Sequence, residues 1–439
     1  MAASTQIQKQ AGLIRAVRRW DLVALVINCI IGTGIFGLPS QAYALVGAYS
    51  LFAFIACALV VVVVAITYAE VAGRFTGTGG AYLYVSEAFG PLVGFEVGWV
   101  TYLARVSSIG FACNVLVNYL SYFWPAAGGG VVRGAIMCGV MFLLTGINIM
   151  GVGRASVMSD IFTIGKLVPM ALFIGVGLFF IHPQNYSFSH PPAPASFSLV
   201  VAQLIFAFTG FELASIATGE AREPQRNIPF AILTAVAVVA SFYILIQVVC
   251  IGTLKSLGAS TKPLSDASQL FMGRIGASII TTGVIISAVG NLIGIVLAGS
   301  RLPFAMAEHR YLPQLFSKIH PRFHTPHFAI VLTASIGLIL GITGTFTYTL
   351  SLTAISKLVT FIGVCAALPA LRARGPAPGF RAPAGTVLSV MAVGLCTWLL
   401  VNSGWRGLRD VAIAAAVGLC IYLWYRLKAR QRELSSSAR

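Results

Sequence analysis

Residues 28–40 read NCIIGTGIFGLPS, between the apolar stretches LVALVI (22–27) and AYALVG (42–47). The string GTGIFG, 32–37, satisfies G-x-G-x-x-G, which in a soluble enzyme marks a loop cradling a dinucleotide pyrophosphate. That use needs a strand before the loop, a helix after it and an acidic residue about 20 residues further on. The positions there read FIACALV (54–60), and the next acid is Glu70. The string must therefore be read as part of a hydrophobic helix. Close helix packing favours small residues four apart, whereas Gly32 and Gly34 are two apart around a β-branched Thr33. Such a triplet weakens a helix locally. It frees backbone N–H and C=O groups, which are tolerated at membrane depth only where they line a cavity or are buried in protein.

The composition sets that membrane context. The chain of 439 residues is 58% hydrophobic and only 9% charged, against about 25% charged residues in a soluble chain. Twelve spans satisfy the need for about 20 apolar residues per helix: 21–45, 50–72, 92–121, 132–151, 158–182, 197–219, 228–252, 275–306, 327–345, 349–371, 385–402 and 409–426. An even number places both termini on one side. Of the 29 Lys and Arg residues, only Arg133, Lys255, Lys262, Arg274, Arg406 and Arg409 fall on the opposite side. Arg105, Lys166 and Lys357 lie inside spans, and all others share the side of the termini. By the positive-inside rule that side is cytoplasmic. The net charge of +17 thus reflects topology, and no nucleic-acid partner is expected. The eight cysteines lie in apolar segments without a C-x-x-C pair, so neither a disulfide framework nor a zinc site is expected. The longest loops on the opposite side, 183–196 and 253–274, are too short for a soluble domain, so function must reside within the membrane.

A second break is expected in LIFAFTGFELASIATGE (204–220), where Thr209-Gly210 interrupts an aromatic run and Glu212 follows. Two interrupted helices at corresponding places in two halves of a chain point to a transporter binding site. The N–H groups and positive dipole end of a half-helix starting near Gly34 suit a carboxylate. Unwound carbonyls near Ile30 and Ile31, and from Phe206 through Ala207 to Thr209, suit an ammonium. Both together fit an α-amino acid backbone.

These residues resemble the amino acid–polyamine–organocation transporter superfamily. The resemblance is carried by GTGIF (32–36), YAEVAGRFTGTGGAYLYVSEAFGPLVGFEVGW (68–99), GFELASIATGEAREPQRNIP (210–229) and AGSRLPFAMAEHRYLPQLFSKIHPRFHTP (298–326), and with the spans it covers nearly the whole chain. It implies an all-α integral membrane protein of twelve transmembrane helices. Two inverted five-helix repeats with helices 1 and 6 broken would occupy 21–182 and 197–371, followed by two further helices in 385–426. Cytoplasmic tails would cover 1–20 and 427–439. The resemblance also implies a secondary transporter in a bacterial inner membrane, working by alternating access around a midplane site, without catalytic residues, cofactor or metal. Its substrate-binding residues would be Ile30, Ile31, Gly32, Thr33, Gly34, Phe206, Ala207, Thr209 and Gly210. Thr33 and Gly34 would meet the substrate carboxylate, and Phe206 would act as an aromatic gate.

Two contrasts narrow the substrate. Relatives that take dibasic amino acids can carry an acid at the position of Thr209, and arginine exchangers use Trp at the position of Phe206. Both contrasts favour neutral amino acids over cationic amino acids or polyamines. The loop SYFWPAAGGGVVR (121–133) lacks the cysteine of relatives that join a glycoprotein heavy chain, so no such partner is expected, and the transporter would act as a monomer or homodimer. A sensor that binds amino acids without transporting them would use the same site.

Charges inside spans are costly, about 2.5–3.5 kcal/mol each on insertion scales, and call for a partner or a task. By the resemblance, Lys166 stands where sodium-coupled relatives hold sodium, which implies sodium independence. It is also a candidate carrier of a coupling proton, with snorkelling to the interface as the alternative. Glu212 is either a proton carrier and switch or a carboxylate hydrogen-bonded to local backbone at the break. Arg105 is expected to pair with Glu96 or another acid, and Lys357 to serve in a structural pair or polar packing. Glu220, Arg222, Glu223 and Arg226 form a cytoplasmic charge cluster, and the histidines of 309–327 fit no strong zinc pattern.

Overall fold

The computed structural model describes residues 18–75, 80–151, 155–212, 223–375 and 380–437. Glu220 and Arg222 of the expected charge cluster lie outside the described residues, as do the first 17 residues. Helices follow one another as α1 (Arg19–Ile30), α2 (Gly34–Val46), α3 (Ser50–Gly73), α4 (Gly80–Phe89), α5 (Pro91–Leu120), α6 (Gly130–Met150), α7 (Ala155–Gly177), α8 (Pro194–Leu204), α9 (Pro224–Thr253), α10 (Pro263–Glu308), α11 (His327–Thr343), α12 (Phe346–Ala373), α13 (Gly385–Val401) and α14 (Trp405–Ser437). Among the described residues, seven helical stretches are long and apolar enough to cross a bilayer. The shorter stretches Gly165–Phe180, Pro194–Phe208, His327–Thr343 and Gly385–Val401 are apolar as well.

Three differences from the expected spans have simple causes. The segment 80–89, read as loop, is a short helix whose buried Ala81, Tyr84, Val85 and Ala88 form one face; at ten residues it is too short to cross a bilayer and too short to register as a span. Residues 263–272 are helical rather than loop, and Gly273 at φ 65° turns them into the rest of α10. The last helix runs on to Ser437, well past the apolar stretch that ends near 426.

Burial falls from 83% in the apolar window of α5 to 17% in that of α6, so α5 is the central helix and α6 a peripheral one. The Tyr119 hydroxyl lies 3.4 Å from Leu264 N, Gly299 lies against Arg105, and Gly98 lies against Met306. These contacts make α5 and α10 antiparallel. Tyr119 also donates to the Phe36 carbonyl at 2.6 Å, which places α2 at the same end as the C-terminus of α5. The start of α1 is at the other end, where the Arg19 guanidinium sits 3.3 Å from the centroid of Phe230 at the start of α9. That end is called the N-side below, and the opposite end the far side.

On the N-side a buried carboxylate ties three elements together. Glu70 of α3 accepts from Arg372 Nε at 2.8 Å and Nη2 at 2.6 Å, from Arg74 Nη2 at 3.1 Å, and from the Ala382 amide at 2.9 Å. A carboxylate with no exposed surface needs such partners, and this set fixes the end of α12 and the approach to α13 against α3.

Candidate functional site

The α1–α2 helix breaks where its sequence is weakest. Residues 31–33 are not helical, and the cause is packing as well as propensity. A side chain at Gly32 would place a Cβ 3.0 Å from Asn291 Nδ2, and one at Gly34 would place it 3.0 Å from the Ala207 backbone. Glycine lets the two broken segments touch. The second break falls where α8 gives way to a 3-10 turn over Ile205–Phe208. Gly210 follows at φ 123°, and a Cβ there would overlap the Cys29 carbonyl. Only glycine suits both that dihedral and that contact.

The two breaks enclose a cavity of about 310 Å³, at the small end of the roughly 300–1,000 Å³ typical of small-molecule sites. Of the residues expected to bind substrate, Ile30, Gly32, Thr33, Gly34, Phe206, Ala207, Thr209 and Gly210 line it, and so does Lys166. Ile31 and Glu212 do not. From α5 come Arg105 and Ser108, and from α10 come Ser287 and Asn291. These four were not assigned to the substrate site from sequence. Asn291 donates to the Thr33 hydroxyl at 3.1 Å; a lone amide in the apolar run SAVGNLIGIV (287–296) was the available signal. Ser287 Oγ is buried without a hydrogen-bond partner.

The carbonyls freed at the end of α1 are occupied by the protein itself. Lys166 Nζ donates to the Asn28 and Ile31 carbonyls, each at 2.6 Å. The Ile30 carbonyl accepts the Gly32 amide at 2.8 Å and the Tyr243 hydroxyl at 3.3 Å. The carbonyls expected near Ile30 and Ile31 for a substrate ammonium therefore hold a lysine ammonium and a phenol. On the other side of the break the α2 N-terminus remains. Of its first-turn N–H groups, Phe36 N donates to the Thr33 carbonyl at 3.3 Å, while those of Gly34 and Ile35 have no acceptor within the helix, and its dipole end is positive. A carboxylate is the group it suits.

On the far side Phe206 of the cavity wall packs into an aromatic cluster. Phe111 lies 4.7 Å from Phe206 and 4.6 Å from Phe346, centroid to centroid. Toward the N-side a second cavity of about 580 Å³ begins, with Arg301, Glu308 and His309 among its lining residues and exposed. Glu212 lies on its wall. One carboxylate oxygen, Oε1, takes Lys357 Nζ at 2.5 Å and Arg105 Nη2 at 3.4 Å, and Oε2 accepts the Gly210 amide at 2.7 Å. Glu212 thus makes the local backbone bond at the break and also joins α5 and α12. The suggested Arg105–Glu96 pair is not formed: Arg105 meets Glu212, and Glu96 Oε1 is buried without a partner.

Residues 18–417 match the amino acid permease family. The methylthioribose transporter of Bacillus subtilis (strain 168) is 29% identical, over 96% of this chain and 95% of its own. The serine/threonine exchanger SteT of the same organism is 30% identical, over 76% of each chain, and its branched-chain amino acid permease BcaP is 25% identical over 98% and 96%. This chain belongs to the amino acid permease family of the amino acid–polyamine–organocation superfamily, and it is a multi-pass membrane transporter rather than an enzyme.

Proposed function

We propose that the protein is a sodium-independent secondary transporter of neutral amino acids, driven by protons or working by exchange. It would alternate access to the cavity between the two breaks. The observation that carries the reading is the pairing of a helix N-terminus at the cavity wall with a carbonyl set held by Lys166. The α2 end offers N–H donors for a carboxylate, while Lys166 already fills the carbonyls at the end of α1 with a fixed cation. A second cation such as sodium has no vacancy there. Among the described residues no Asp or Glu lines the 310 Å³ cavity, which disfavours cationic amino acids and polyamines. Thr209 would neighbour the substrate's amino group or side chain.

In this reading the chain crosses a bacterial inner membrane twelve times as a five-plus-five inverted repeat with two further helices, and the N-side is cytoplasmic. The distribution of Lys and Arg supports that orientation. The test is uptake into proteoliposomes by the purified protein, with a panel of labelled amino acids and with or without a pH gradient, sodium, or internal amino acid. Uptake or exchange of neutral amino acids without sodium is expected. Absence of transport for every amino acid, with binding retained, would instead identify a sensor, and sodium dependence would remove the role given to Lys166.

A further inference from the structure

Among the described residues, Arg105 is the one charged residue that lines both cavities; Ala298 is the other lining residue they share. Its tie to Glu212 is weak by geometry. The 3.4 Å separation lies beyond the 2.7–3.2 Å range of a good N–H···O bond, and the acceptor oxygen is held more closely by Lys357, at 2.5 Å. Lys357 and the Gly210 amide already supply Glu212 with a counter-charge and a backbone donor. The guanidinium fork of Arg105 therefore keeps donors for another carboxylate, the group its planar geometry matches best.

We propose that Arg105 is a carboxylate relay, and that the 580 Å³ cavity is a second, transient amino-acid site on the N-side of the first. The inference rests on the amino-acid reading above. A substrate leaving the α2 N-terminus toward the N-side carries its carboxylate past Arg105. Without a free cationic donor on the way, that charge would leave the helix end and pass the Glu212 carboxylate with no charged partner, at a large cost. Arg105 receives it in bidentate fashion and passes it to the vestibule, where Arg301 of α10 offers the next guanidinium. The neutral pair Glu212–Lys357 stays in place beside the path. Because the carboxylate is common to every amino acid, the relay acts on turnover and not on the choice of side chain. Arg105 is thus a positioning residue for release and entry on the N-side, distinct from the helix end that sets affinity.

The test measures equilibrium binding and exchange with the same labelled amino acid, one that the wild-type protein transports. Arg105→Gln is expected to slow exchange in proteoliposomes by roughly 10–100-fold, the range for losing a charged hydrogen-bonded contact, with equilibrium affinity changed less than about threefold. The slowing should be the same factor for every amino acid transported. Arg105→Lys retains a cation facing Glu212 but not the fork; it is the variant to use if Arg105→Gln does not yield monodisperse protein. Exchange by Arg105→Lys should still fall severalfold, and added guanidinium should restore part of the rate in Arg105→Ala. Wild-type exchange in Arg105→Lys would show that Arg105 only supports Glu212 and would overturn the relay. Equal losses of affinity and exchange would place Arg105 in the primary site and overturn it as well. Failure of the wild-type protein to transport amino acids would instead refute the reading on which the relay rests.

Discussion

The buried charges around Glu212 predict an unequal pair of mutational effects. Removing one partner of a buried ion pair costs about 3–5 kcal/mol, because the other charge is left uncompensated. Glu212→Gln leaves two cations, Lys357 at 2.5 Å and Arg105 at 3.4 Å, facing one neutral amide. Lys357 has only 2% of its side chain exposed, so it recovers little hydration from the cavity it borders, and the two cations repel. This variant belongs at the top of the range, about 4–5 kcal/mol. Lys357→Met leaves Glu212 with Arg105 and with the Gly210 amide at 2.7 Å, so its cost belongs at or below the bottom, about 2–3 kcal/mol. The double variant Glu212→Gln/Lys357→Met removes the buried pair altogether. It leaves only Arg105, whose guanidinium borders two cavities and can be hydrated there. Its cost is expected to be smaller than that of Glu212→Gln alone, with a coupling energy of about 2–4 kcal/mol where independent sites would give none. The assay is the apparent unfolding temperature of each purified protein in one detergent, followed by intrinsic fluorescence and size-exclusion recovery. Additive losses, or Lys357→Met proving the more damaging single change, would refute the shared-oxygen arrangement on which this ranking depends.

Other perturbations test separate parts of the molecule. Lys166→Ala removes the ammonium between the Asn28 and Ile31 carbonyls; counterflow should persist while acid-driven accumulation in proteoliposomes is lost, and wild-type accumulation would contradict a coupling role. Gly34→Val is expected to abolish amino-acid binding in a scintillation proximity assay while leaving a monodisperse protein, since its side chain meets Ala207 across the cavity; retained affinity would refute the placement of the carboxylate there. Glu70→Ala leaves Arg372 and Arg74 without their shared carboxylate and should lower stability by about 3–5 kcal/mol; an unchanged unfolding temperature would refute that the cluster holds α3 and α12 together.

Both helix breaks and the part of the cavity wall that they supply were legible in the sequence because glycine at close spacing is a local signal. The triplet Gly32-Thr33-Gly34 and the pair Thr209-Gly210 need no knowledge of distant residues to be read as breaks. Partnerships across the chain were less legible. Arg105 has Glu96 on its own helix, which made that pair a candidate, yet nine residues are two and a half turns and place the two side chains on different faces. Its acid is Glu212, 107 residues away, and nothing in local pattern announces that. The same holds for the Ile31 carbonyl: sequence reading could free it from the helix, but only the packing of α7 against α1 shows that Lys166 takes it. Helix α4 escaped notice because its apolar face is amphipathic and short, a pattern that hydropathy over a span-length window averages away.

The two borders of the substrate cavity differ in chemistry, and the difference bears on how the proposed alternation would be driven. The far-side border is an edge-on and tilted cluster of Phe111, Phe206 and Phe346, with Gly37 packed against Phe346 so tightly that a Cβ there would lie 2.5 Å from the ring. Such contacts are short-ranged and indifferent to charge; aromatic pairs contribute about 0.5–1.5 kcal/mol each beyond their buried area. The N-side border is ionic, with Arg105, Glu212 and Lys357 drawn from three segments. A zwitterion acts on these two borders differently. In the proposed relay its carboxylate meets Arg105 only on passing to the N-side and then changes the balance of charge there, while its side chain has Phe206 among its neighbours in the cavity. Under the proposed relay, a substrate in transit can therefore bias the N-side border directly, whatever side chain it carries. The far-side lid must respond to the movement of α2 and the 3-10 turn that carries Phe206. Gly34 and Ala207 touch across the cavity, so those two segments cannot move independently: a shift of the α2 N-terminus toward a bound carboxylate displaces the turn and, with it, the ring of Phe206.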